Sequence, residues 1–193
     1  MAASAASPLE VSIIGQLVGA SGLAHGNAHC EWRLRVGDAW TCRRGEPSGA
    51  SQTDAPCPDP GEQALCLWQH PIDATFMTTD LQGWPRLEIE VFWRDAHGRS
   101  DFAGYAVAPV PTTQGTHAVT CPVWRPRGSK KDRLAAFFVG GYPRLKNEEL
   151  VYGIADKEDA TRLSRSMGKM RVASEGVGTV HLSLSVCARH APL

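Results

Sequence analysis

The stretch from Val91 to Tyr105, VFWRDAHGRSDFAGY, holds the residues most suited to chemistry. It reads as a strand, a turn at Gly98 and a second strand starting at Phe102. Two carboxylates, Asp95 and Asp101, fall in the connecting loop. Oxygen-rich loops of this kind hold calcium only when six to eight oxygens converge at one end of a fold. A second group is cationic: Arg125, Arg127, Lys130, Lys131 and Arg133 form the densest basic cluster. Such a cluster suits acidic lipid headgroups or an acidic partner, and a solvated loop and helix start is the plainer reading. Basic side chains at a helix N-terminus oppose the helix dipole, which adds weight to a binding role. The seven histidines are scattered. His25 and His29 stand four apart, but among Gly and Asn, and no third ligand can be named. No HExxH, GxSxG, P-loop or Rossmann pattern occurs. The residues therefore point away from an enzyme.

These groups must be carried by strands. Apolar residues alternate with polar ones at Val11, Ile13 and Leu17; at Cys30, Trp32, Leu34 and Val36; at Leu87, Ile89, Val91 and Trp93; and at Val180, Leu182, Leu184 and Val186. A period of two is the mark of a half-buried strand. Shorter strands are expected at 64–69, 72–78, 102–110 and 116–121, giving about eight in all. The 19 Gly and 13 Pro supply the turns such a chain requires. The expected fold is all-β, an antiparallel β-sandwich, with one inserted helix near 129–139. That helix would be capped by Ser129, striped by Leu134, Phe137 and Phe138, and ended at Gly140-Gly141. Segments 43–63 and 153–177 read as long loops, the second with room for a short helix near 156–168.

The 20 basic and 20 acidic residues cancel. A dedicated nucleic-acid binder carries a basic excess, so that class is disfavoured. No apolar run approaches the 18 residues of a membrane helix. Met1 to Pro8 lacks the basic and apolar regions of a secretory leader. The six cysteines, none at CxxC spacing, are accordingly expected as reduced structural thiols in an intracellular protein.

The spacing of Val91 to Tyr105 resembles the third calcium loop of C2 domains. Asp95 and Asp101 match two of its three aspartates, and Trp93 stands where the first would be. A site short of a carboxylate would bind calcium poorly, so no cofactor is expected, and Asp95 and Asp101 are weak metal candidates only.

More of the chain resembles the B9 domain, a C2-related family. The likeness rests on Ile13-Ile14-Gly15-Gln16, His70-Pro71-Ile72-Asp73, Leu81-Gln82-Gly83-Trp84-Pro85-Arg86-Leu87, Ala103-Gly104-Tyr105, Gly115-Thr116-His117, Cys121-Pro122-Val123-Trp124-Arg125-Pro126 and Gly178-Thr179-Val180-His181-Leu182. It spans about residues 11–187, and 43–63 and 153–177 match least. The implied arrangement is a flexible start over 1–9, a B9 (C2-like) domain over 10–188 and a tail over 189–193.

The resemblance implies a non-enzymatic structural subunit of the ciliary transition-zone complex. Implied partners are other B9-domain proteins, of the B9 domain-containing protein 1 and Meckel syndrome type 1 kinds, with tectonic-complex membrane proteins. The implied location is cytoplasm and cytoskeleton, at the basal body and transition zone. The alternative is a C2-like peripheral membrane module. Trp84 and Phe92 join the basic cluster as candidate partner or membrane surface, because large aromatics anchor interfaces. Trp84 as a plug at the end of the sandwich is the plainer reading, and Phe92 either faces a partner or lies in a strand buried on both sides.

Overall fold

The computed structural model describes residues 8–23, 26–55, 65–94, 97–129, 131, 134, 141–142, 144–145 and 173–190. They form nine strands: β1 (Leu9–Ser21), β2 (Ala28–Arg35), β3 (Trp40–Gly45), β4 (Ser48–Ala50), β5 (Leu65–Thr78), β6 (Arg86–Arg94), β7 (Ser100–Pro109), β8 (Gly115–Pro126) and β9 (Ser174–His190). All pairings are antiparallel, in the order β3-β5-β1-β9-β8-β7-β6-β2-β4. The β7–β8 pairing is a single bridge, Tyr105 to Trp124. There the sheet doubles over, and β3-β5-β1-β9-β8 faces β7-β6-β2-β4 as a second layer.

Alternation explains the core. Val11, Ile13 and Leu17 of β1, Leu87, Ile89 and Val91 of β6, and Leu182 and Leu184 of β9 are almost wholly buried in one cluster. Each points inward because successive side chains on a strand leave on opposite faces. Polar groups tie the two layers together. Trp68 of β5 is fully buried and donates its indole N–H across the layers to Ala28 O at 3.0 Å. Asp54 accepts Leu67 N–H at 2.7 Å, and Gln52 donates to Trp68 O.

One end of the sandwich is braced where Gly83 packs on Gly37. Gly83 has φ +69°, and a Cβ there would lie 2.4 Å from Gly37 Cα, so only glycine fits. Trp40 N–H of the indole reaches Gln82 O at 2.7 Å, and Trp40 meets Trp84 edge-on at 5.3 Å.

Three expectations are corrected. The strand count is nine rather than about eight. The strands expected at 64–69 and 72–78 are one, β5, interrupted by Gln69 at φ 46° opposite the register shift between Leu17 and Gly19. The segment 43–63 is not all loop, because the end of β3 and the whole of β4 lie in it. The described residues delimit no helix near 129–139. Lys131 and Leu134 are helical there, and most of that segment lies outside the described residues, as does most of 153–177.

Candidate functional site

Asp101 is the second residue of β7, and both its oxygens accept backbone donors. Oδ1 takes the N–H of Phe102 and Oδ2 the N–H of Gly141, each at 2.9 Å. The carboxylate thus ties down a chain segment forty residues further on. Asp95, the other weak metal candidate, lies outside the described residues. Among the described residues no three His, Cys, Asp or Glu side chains gather as metal ligands would. Trp93 packs partly into the core and stands 6.4 Å from the ring of Tyr142.

The segment that Asp101 holds covers an aromatic cluster on the outward face of β6 and β7. Phe92 is 7% exposed, Phe102 2% and Tyr105 1%. Phe102 and Tyr105 stand 4.5 Å apart, and Tyr105 and Trp124 5.8 Å. Leu145 packs on the cluster and donates its N–H to the Tyr105 hydroxyl at 3.4 Å. The Arg144 guanidinium lies over Phe92 at 5.1 Å and Phe102 at 4.8 Å, a favourable cation–π geometry. Phe92 does point away from the main core, yet it is closed over, so β6 is buried on both sides.

Among the other expected surface residues, Arg125 lies 3.6 Å above Tyr142 and pairs through Nε with Glu175 Oε1 at 2.6 Å. It braces β8 against β9 rather than standing open. Arg127 and Lys131 are exposed; Lys130 and Arg133 lie outside the described residues. Trp84 is half-buried, packs on the core and donates to Val110 O at 2.9 Å. Its geometry is that of a plug at the braced end.

Sequence reasoning missed Glu88. Alternation puts it outward, but only 4% of it is exposed. Its Oε1 lies 2.8 Å from Arg35 Nε and 3.5 Å from Arg86 Nε. The same oxygen has no well-aligned hydrogen bond, so the contact is charge–charge. Burial pushes the Glu88 carboxyl above its ordinary range, and the arginines beside it pull the other way. Its cover lies in a different strand, β2, where Arg33 and Arg35 also point outward and Arg33 pairs in register with Glu88. Beside this pair a groove of about 330 Å³ runs to the sheet edge, lined by Glu31, Arg33, Ser48, Ala50, Glu88 and Glu90 among others.

Nine antiparallel strands in two layers, with charged and aromatic groups engaged on the outward faces, define a β-sandwich module whose distinctive features are surfaces. The chain belongs to the B9-C2 family, described as ciliary basal body-associated B9 proteins, whose profile matches residues 11–187. It is 41% identical to B9 domain-containing protein 2 of Rattus norvegicus over 181 residues, 94% of each chain. It is 28% identical to B9 domain-containing protein 1 of Xenopus laevis over 172 residues, 89% of this chain and 85% of the other. The C2A domain of plant Extended Synaptotagmin 1 aligns over 95% of this chain and 96% of its own with 13% identity and TM-score 0.39, a superposition too loose to carry detail.

Proposed function

We propose that this protein is a non-enzymatic structural subunit of the ciliary transition-zone complex. It assembles with other B9-domain proteins of the B9 domain-containing protein 1 and Meckel syndrome type 1 kinds, and with tectonic-type membrane proteins. The assembly sits at the basal body and supports ciliogenesis and the ciliary diffusion barrier. One observation carries the reading: the match to B9 domain-containing protein 2 runs through 94% of both chains, so the whole sandwich is shared rather than one motif. A balanced charge of 20 basic and 20 acidic residues suits a subunit held inside an assembly by shape and local contacts.

The test is the position of a tagged chain in ciliated cells, together with its co-purifying proteins. A ring at the ciliary base and recovery of other B9-domain chains are expected. Diffuse staining with no B9-domain chain recovered would overturn the reading. Flotation with anionic liposomes addresses the peripheral-membrane alternative, for which exposed Arg127 and Lys131 are the supporting residues.

A further inference from the structure

Among the described residues β4 is the outermost strand of its layer, and its far edge pairs with no other strand. Its register with β2 sets Glu31 against Ala50, Trp32 against Gly49 and Arg33 against Ser48. Hydrogen bonds to β2 come from Ser51 N–H to Cys30 O at 2.8 Å and from Leu34 N–H to Pro47 O at 2.6 Å. Antiparallel ladders alternate bonded and non-bonded pairs. Ser48 and Ala50 therefore turn their N–H and C=O groups away from β2, to the open edge.

Edges of this kind accept an added strand, and native proteins usually blunt them with lysine, proline or cover. β4 is only three residues long and follows Pro47, so the edge offers the backbone groups of Ser48 and Ala50 alone. The small side chains of Ser48 and Ala50 also keep the groove open between the edge and the charged residues behind it.

The charges say what kind of strand would fit. Glu31 and Glu90 are directly opposed across β2 and β6, on the groove side. Glu31 is exposed and takes part in no ion pair among the described residues. A strand laid beside β4 runs roughly 10 Å from the β2 backbone, two strand spacings away. Arginine or lysine on that strand, passing over Ser48 or Ala50, reaches Glu31.

We propose that the open edge of β4 receives an extended strand of a B9-family partner chain, which places a basic side chain in the groove beside Glu31 and Glu90. This rests on the assembly proposed above. The experiment titrates the full chain against purified B9 domain-containing protein 1 by biolayer interferometry at low and moderate salt. Ala50→Pro removes an edge N–H that β2 does not use, and should weaken binding about tenfold. Glu31→Lys should weaken it about threefold or more and abolish the salt dependence. Ile14→Lys, on the opposite outward face, should bind as the unaltered chain does. If Ala50→Pro lowers the melting temperature, Glu31→Lys at its exposed position decides alone. Unaltered binding by Ala50→Pro and Glu31→Lys, with the natural chain binding well, overturns the edge site and leaves the assembly intact. Failure of the natural chain to bind removes the assembly and the edge site together.

Discussion

The two outward faces of the sandwich began with the same strand chemistry and ended differently. On the face of β5, β1, β9 and β8, short hydroxyl side chains meet across strands. Ser12 bonds Thr75 at 3.1 Å, and Thr116 bonds Ser185 at 2.7 Å. Ile14 stands among them 54% exposed. On the face of β2, β6 and β7, Phe92, Phe102 and Tyr105 are closed over and Glu88 is sunk between two arginines. The difference over the aromatic cluster is made by Gly141, Arg144 and Leu145: Asp101 and Tyr105 hold the amides of Gly141 and Leu145, and Arg144 and Leu145 lie against the rings. A returning segment turns a solvent face into a second core, and the residues beneath it then obey core energetics.

Phe102→Ala should show this most strongly. It should cost about 3–4 kcal/mol in denaturant unfolding, the range of a buried aromatic, while Ser185→Ala on the other face stays within about 0.5 kcal/mol. A cost below about 1 kcal/mol for Phe102→Ala would make the two faces equivalent. Arg35→Ala comes next. It leaves the Glu88 carboxylate buried with Arg86 at 3.5 Å and the register partner Arg33, and should cost about 1–3 kcal/mol. Adding Glu88→Gln should return part of that loss, and a purely additive double variant would count against coupling.

A pH titration probes the core that both layers share. Burial pushes the Cys30 thiol up to about 12 and the Cys121 thiol up to about 11, from an ordinary 9.0. Because the folded values lie above the unfolded one, stability from these thiols is complete below pH 9. It is lost as pH rises through 9 towards 11 and 12, by about 1 kcal/mol per thiol at pH 10. Cys30→Ala should flatten that alkaline slope in melting curves taken across this range. Smaller still is Asp101→Asn, expected to cost about 1 kcal/mol and to speed hydrogen exchange at the Gly141 amide without changing exchange in β1.

Much of the sandwich was legible because one face of each long strand is buried. Val11, Ile13 and Leu17, and likewise Cys30, Trp32 and Leu34, follow a period of two and all point inward. β4 escaped notice because three small residues at an edge bury nothing and leave no pattern. β5 read as two strands because Gln69 in the left-handed region breaks the alternation. The burial of Phe92 and Glu88 was illegible for a different reason. Their cover comes from Arg144 and Leu145, and from Arg35 in another strand, so no local window contains it. The basic run 125–133 illustrates the same limit, since neighbours in sequence have different fates: Arg125 is clasped by Glu175 and Tyr142, while Arg127 and Lys131 are exposed.

The most direct test is the mass of the species formed when this chain and B9 domain-containing protein 1 are co-expressed, measured by light scattering behind a sizing column. A single peak at the summed mass of the two chains is the predicted result. Two separate peaks, each a lone chain at micromolar concentration, would contradict a protein that acts by joining its family members.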